Sequence, residues 1–255
     1  MPFKVDFITN SSEGNKDLST TSNMGDLLLP LVIAKKERTS GKTKLERYAG
    51  VSFYINSNGL IATCGHIIDG IVDDEILVVK ELTTNSFLEV IDIKRHPTKD
   101  FAIGKIGVKN NKCIAPFEQP VLPGQNVRAF GFTSPGKSGG EINIEGRLLK
   151  GYVVRTSPLP ILPVSLSTCE VSFPSLNGFS GAPVITDGLN GKLIGMLYGN
   201  LESTIQTYGI SELREKDKEI SEKIYRIIEF GLIHTISDIR TFWSEIDNNQ
   251  QFTTL

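Results

Sequence analysis

Between Gly25 and Gly199 the chain is a succession of short β-branched or aromatic runs, each closed by Gly, Pro, Asn or Asp. That cadence narrows the fold more than any other feature. β-Branched and aromatic side chains suit a pleated, half-buried surface, and the residues between them supply turn geometry, so the pattern reads as the strands of barrels or sandwiches. The runs are 27–34, 51–55, 60–63, 76–79 and 101–106, then 126–130, 151–154, 168–173, 182–185 and 193–198. The stretch 108–124, with Pro116, Pro120 and Pro123, is poor strand material and has the composition of a connector between two halves of similar character. After Gly209 the texture changes. Leu213, Ile220, Ile224, Ile227 and Ile228 fall at helical spacing among charges, which predicts a helix from Ser211 as N-cap to Gly231 as stop, and a second helix over 237–246 presenting Ile239, Phe242, Trp243 and Ile246.

Size and charge exclude several classes of function. At 255 residues the chain can bury a sizeable core without metals or disulfides. A formal charge of −2, from 27 basic and 29 acidic residues, offers no field to gather nucleic acid or anionic lipid. The longest apolar run, 27–34, is broken by Pro30 and falls far short of the ~20 residues that span a bilayer. The polar stretch 1–24 has no apolar segment of signal-peptide length and is expected to be a loosely docked arm. Cys64, Cys113 and Cys169 cannot all pair within one chain, so reduced thiols of a cytoplasmic protein are expected. No CxxC or HxxxH spacing occurs, and neither a metal nor another cofactor is expected.

Three short segments carry chemistry. Gly50 to Ile55, a turn at Asn56-Ser57-Asn58-Gly59, and Leu60 to Thr63 form a strand, a hairpin turn and a second strand, which lead through Cys64-Gly65 to His66 at the rim of a sheet. A lone histidine there is more simply a locally satisfied side chain. Lys99-Asp100-Phe101-Ala102-Ile103, however, puts a carboxylate at the entrance of an apolar strand, where it is costly unless paired. An imidazole is a fitting partner, because a carboxylate on one ring nitrogen fixes the tautomer that leaves the other free as a base. The third segment, Asn177-Gly178-Phe179-Ser180-Gly181-Ala182-Pro183, sets a serine among glycines, where successive N–H groups can point one way. The amides of Gly178 and Ser180 are then candidate oxyanion donors; without His66 and Asp100 the same stretch would read as an ordinary turn.

Other arrangements fit less well. Ser180, Asp217 and His234 fall in the order of an α/β-hydrolase, but that fold needs a helix after the serine, and Pro183 with the β-branched residues that follow gives a strand. None of the cysteines sits in a glycine-cradled turn. His96 and His234 read as structural, and Asp92 is an alternative acid for His66.

Taken together, Thr63-Cys64-Gly65-His66, Asp100-Phe101-Ala102-Ile103 and Gly178-Phe179-Ser180-Gly181-Ala182-Pro183 resemble the trypsin-like serine peptidases, especially their bacterial Deg-type and short intracellular branches. The resemblance covers roughly 25–246. It implies an all-β fold of two six-stranded antiparallel barrels with C-terminal helices, divided as a first barrel over 25–115, a second over 116–210 and helices over 211–255. It also implies a catalytic triad of His66, Asp100 and Ser180, with Gly178 and Ser180 as the oxyanion hole. Two departures stand out: Ala182 replaces a glycine, and Phe179 stands where zymogen-activated members carry an Asp that pairs with a cut N-terminus, so activation by trimming is not expected.

The resemblance further implies a protein or peptide substrate held by Ser175, Asn177, Tyr198, Gly199 and Asn200. The segments 173–177 and 197–200 contain no acidic residue, which predicts a small or medium apolar residue ahead of the cut. No appended domain is expected to restrain such an enzyme, so restraint is assigned to a regulatory protein partner or a misaligned resting oxyanion loop. The rival functions are a catalytically silent peptide-binding protein of the same fold and an interaction module built on the 211–231 helix.

Overall fold

A computed structural model of the chain describes residues 7–9, 27–36, 43–56, 58–107, 112–138, 141–158, 167–188, 191–214 and 218–246. Of the N-terminal arm, Phe7–Thr9 forms β1 and the rest lies outside the described residues.

The first barrel is closed by β2 (Leu28–Lys36), β3 (Thr43–Tyr54), β4 (Leu60–Thr63), β5 (Glu75–Glu81), β6 (Ser86–Arg95) and β7 (Ala102–Ile106), paired in the order β2-β3-β4-β7-β6-β5. A one-turn helix, α1 (Gly65–Asp69), follows β4. The continuous apolar run of β2 is buried as far as Ala34. β6 escapes the apolar pattern because the exposed Glu89, Asp92 and Lys94 interrupt its apolar residues. Next comes β8 (Lys112–Ile114), inside the expected connector, which pairs antiparallel with β1.

The second barrel comprises β9 (Asn126–Ser138), β10 (Glu141–Pro158), β11 (Ser167–Val171), β12 (Pro183–Thr186), β13 (Leu193–Arg214) and β14 (Lys218–Thr235), in the order β10-β11-β14-β13-β12-β9. Both barrels are antiparallel, as the resemblance implies. Buried side chains from the two, among them Phe53, Phe101, Phe179 and Ile185, form one continuous core.

The helix expected over 211–231 is not formed: of these residues 211–214 lie in β13 and 218–231 in β14, and an interaction module built on that helix loses its basis. The reason is non-local. Residues 231–233 close the barrel against β11, and the ladder between β13 and β14 continues outward from Gly195↔Thr235 to Arg214↔Lys218. Pairing of that length outweighs a helical spacing made largely of isoleucines, whose branched Cβ favours strands. The second expected helix is present as α2 (Ile236–Ile246). Thr235 and Asp238 cap it reciprocally: Asp238 N–H donates to Thr235 Oγ1 (3.2 Å) and Thr235 N–H to Asp238 Oδ2 (2.8 Å). It buries Ile236, Ile239, Phe242 and Trp243. Among the described residues no helix is long and apolar enough to cross a membrane.

Candidate active site

His66 owes its position to the end of β4. Cys64 stays extended (φ −76°, ψ 145°), the chain then turns into α1, and His66 sits in the first turn. Asp100 lies just before β7, in a loop that His96 organises: Nδ1 of His96 accepts from Thr98 N–H (3.2 Å) and Lys99 N–H (3.0 Å), and its other ring nitrogen meets Glu245 of α2. His96 is thus structural, as expected. The Asp100 carboxylate takes two bonds from one residue. Oδ1 accepts from His66 N–H and Oδ2 from Nδ1–H, each at 2.8 Å. Asp92 is exposed at a bulge of β6, so the histidine's acid is Asp100.

This pair shifts both titrations. The hydrogen bond to Asp100 raises the His66 pKa above its ordinary value, against an opposing push from burial. Burial tends to raise the Asp100 pKa, but the bonds from His66 outweigh it and hold the carboxyl below its usual value. Arg95 braces the site from behind: Nε donates to Asp69 Oδ1 (2.7 Å) and Nη2 to Asp69 Oδ2 (2.9 Å) at the end of α1, while Nη1 donates to Lys99 O (3.1 Å) beside Asp100.

Ser180 lies in the tight turn before β12. Gly178 (φ +93°) and Gly181 (φ +88°) bracket it in backbone conformations that favour glycine. A Cβ on Gly181 would fall 2.0 Å from Val51 O and 2.7 Å from Thr63 Oγ1, at the end of the strand that leads to His66. The turn is stitched to the first barrel, since Val51 N–H donates to Ser180 O (2.8 Å). Gly50 makes the approach complete: a Cβ there would lie 2.5 Å from Ile67 Cδ1 and 2.8 Å from Ser180 O, so α1 and the serine turn close on the same glycine. The N–H groups of Gly178 and Ser180 have no hydrogen-bond partner among the described residues.

Three features hold this turn. Phe179 is fully buried, and its ring lies so close to Gly131 that a Cβ on Gly131 would fall 2.9 Å from it. Phe179 N–H donates to Leu176 O (2.8 Å) and Ala182 N–H to Phe179 O (2.8 Å). Tyr48, from the first barrel, donates its hydroxyl to Gly178 O (2.8 Å), with Phe132 O at 3.0 Å. Neither Tyr48 nor Arg95 carries a local sequence signal: the carbonyls that Tyr48 meets lie 84 and 130 residues on, and the carboxylate that Arg95 holds lies 26 residues back.

The expected pocket residues gather nearby. Asn200 clasps the segment before the serine, with Oδ1 accepting from Ser175 N–H (2.6 Å) and Nδ2 donating to Ser175 O (3.1 Å) and Glu229 Oε2 (3.1 Å). Tyr198 is turned inward, its ring stacked on His234 at 4.0 Å. Around Gly199 a Cβ would meet nothing within 4 Å. Asn177 is exposed and, with Gly178, Tyr48 and Arg47, lines a cleft of about 260 Å³. His234 is no surface base: burial pushes its pKa down to about 4, and Nε2–H donates to Asp100 O (3.2 Å). Asp217 lies outside the described residues. The Cys64 thiol is near His66 and Asp100, but it donates to Leu197 O (3.3 Å), and burial raises its pKa, so the thiolate that a metal needs is disfavoured.

The sequence profile of the trypsin-like peptidase domain matches residues 50–196. The chain belongs to that family. As a trypsin-like peptidase domain it shares its fold with the Rv3671c protease from M. tuberculosis, whose active form superposes with a TM-score of 0.55 at 17% identity over 89% of this chain and 83% of that one. The inactive form of the Rv3671c protease gives 0.53 at 17% identity over 88% and 90%. An HtrA-type protease, AlgW, solved with a decapeptide, gives 0.57 at 14% identity over 89% of this chain and 66% of that one. No curated protein matches this chain. The matched span begins at Gly50 and includes His66, Asp100 and Ser180.

Proposed function

We propose that this trypsin-like peptidase is a serine endopeptidase acting through an acyl-enzyme. Ser180 Oγ attacks the scissile carbonyl as His66 Nε2 takes its proton. Asp100 holds the imidazolium, and the amides of Gly178 and Ser180 receive the oxyanion. The C–N bond then breaks as His66 returns the proton to the leaving amine, and a water activated by the same imidazole hydrolyses the ester. The observation that carries this reading is the doubly bonded His66–Asp100 pair, together with a glycine-bracketed serine turn that is tied to the first barrel through Val51 and Gly50 and whose Gly178 and Ser180 amides have no partner among the described residues. A fluorophosphonate probe tests it: it should label the parent and not Ser180→Ala, and Ser180→Ala should lower kcat by about 10⁶-fold. A parent protein that resists the probe would leave a peptide-binding protein instead, and a Ser180→Ala variant that cleaves as fast as the parent would exclude Ser180 as the nucleophile.

The substrates we assign are proteins or peptides with a small or medium apolar residue ahead of the cut. The Asn200 clasp ties together the two segments expected to wall the pocket, 173–177 and 197–200, and the preference rests on their having no acidic residue. A peptide library in which only Lys or Arg is accepted would overturn it and turn attention to Glu229 and Glu202. The three cysteines are buried and none is in a disulfide, which fits the reducing cytoplasm we assign. The balanced charge supports neither nucleic acid nor membrane as a partner. Restraint by a regulatory protein is favoured over a misaligned resting oxyanion loop, because Tyr48 and Phe179 already hold that loop.

A further inference from the structure

β13 is far longer than its barrel requires. Its ladder with β12 involves only residues from Leu193 to Met196, whereas its ladder with β14 runs on to Arg214↔Lys218. Beyond Leu197 the edge of β13 on the β12 side therefore has no strand beside it among the described residues. In a two-stranded antiparallel ribbon about every second residue turns its N–H and C=O outward, so this edge is a row of unused donors and acceptors.

The ribbon also carries apolar side chains that it leaves uncovered. Ile205, Tyr208, Ile224, Tyr225 and Ile227 are 48%, 49%, 52%, 51% and 60% exposed. The register sets Tyr208 opposite Ile224 on one face and Gln206 opposite Tyr225 and Thr204 opposite Ile227 on the other, so both faces present apolar surface. Two strands alone are marginal in water and gain from a third. The root of the open edge is the segment 198–200, beside the serine turn: Gly181 N–H donates to Leu197 O (2.9 Å).

We infer that the open edge of β13 over 201–208 is a binding track for the extended segment of a substrate that precedes the scissile bond, added to the ribbon as a third strand. This rests on the peptidase reading of Ser180. In this arrangement the acyl half of the substrate, whose carbonyl would face the Gly178 and Ser180 amides, runs along 198–200, which the bond from Gly181 N–H to Leu197 O ties to the serine turn, and continues from there onto the ribbon. Residue-for-residue pairing puts the track in register from roughly the fourth residue ahead of the cut outward. The occupant is an extended, proline-free segment with alternating apolar side chains. Backbone bonds to the edge supply affinity, and the exposed side chains of the ribbon favour apolar neighbours.

Peptidyl diphenyl phosphonates test the track, because an activated serine forms an O–P bond with them and expels phenol, which carries away the proton. Reagents with one alanine at the warhead and alternating Val and Thr ahead of it would be made from three to ten residues long. The second-order inactivation rate should rise roughly tenfold or more as residues five to eight are added, the effect of two or three backbone hydrogen bonds. N-methylation of alternate amides in that stretch should return the rate to that of the four-residue reagent. A rate that is flat beyond four residues, or a gain insensitive to N-methylation, overturns the track. If simple fluorophosphonates still label Ser180, the peptidase reading survives that result; if neither reagent class reacts, the peptidase reading fails and the track falls with it.

Discussion

In the proposed mechanism His66 acts as a neutral base, so its titration should govern the acid limb of activity. Since the bond to Asp100 raises its pKa above the ordinary 6.5, kcat/KM should rise with pH through a value above that of a free histidine. In Asp100→Asn the limb should move down and kcat fall by about 10⁴-fold; a parent limb below 6.5 would contradict the pairing. The stabilising effect of the same pair runs the other way, present below the unfolded pKa and lost as pH rises through the folded one. Gly181 is a second sharp test: Gly181→Ala combines a strained backbone with a Cβ 2.0 Å from Val51 O, and should lower both the melting temperature and probe labelling. At this scale the sequence was informative. His66, Asp100 and Ser180 are each marked by neighbours that matter locally, such as the turn glycines around Ser180. Tyr48, Arg95 and His234 carry no such mark, because each acts through a backbone or carboxylate group supplied by another element.

Among the elements, the β13–β14 ribbon and α2 teach opposite lessons. α2 is legible, because Thr235 and Asp238 cap it locally and its apolar residues share one face. The 211–231 stretch is not, because isoleucines at helical spacing also suit a strand once a partner of matching length exists, and that partner is the preceding strand, whose end falls within the same stretch. The elements also support one another at the site. Phe242 of α2 packs on Phe101 at 5.8 Å, His96 at 5.2 Å and His234 at 5.2 Å, which surround the Asp100 loop. Phe242→Ala should cost about 3 kcal/mol in denaturant unfolding and should slow cleavage further by loosening that loop. Tyr48→Phe removes the tie between the first barrel and the serine turn. It should cost about 1–2 kcal/mol of stability and lower kcat more than it raises KM, if the turn's alignment is what the hydroxyl maintains.

For the molecule as a whole, the buried His234 couples stability to pH. Its pKa, about 4 when folded against an ordinary 6.5, means that the unfolded chain binds the extra proton first. The stability it contributes is complete above about 6.5 and is lost as pH falls toward 4, about 3 kcal/mol over that window. Unfolding curves of the parent and His234→Gln should converge toward pH 4, and parallel curves would show that His234 is not the titrating group. The residue runs between turn formers, the chain order of histidine, acid and serine, and the glycines around the serine were readable in one dimension, because strand propensity, turn geometry and catalytic motifs are local. Closure of β14 onto β11, conversion of a helical spacing into a ribbon, and the meeting of Tyr48 with Gly178 were decided only in three dimensions. The first and last depend on hydrogen bonds between segments far apart in the chain, and the ribbon on a hairpin ladder that runs from Arg214↔Lys218 back to Gly195↔Thr235 at the barrel.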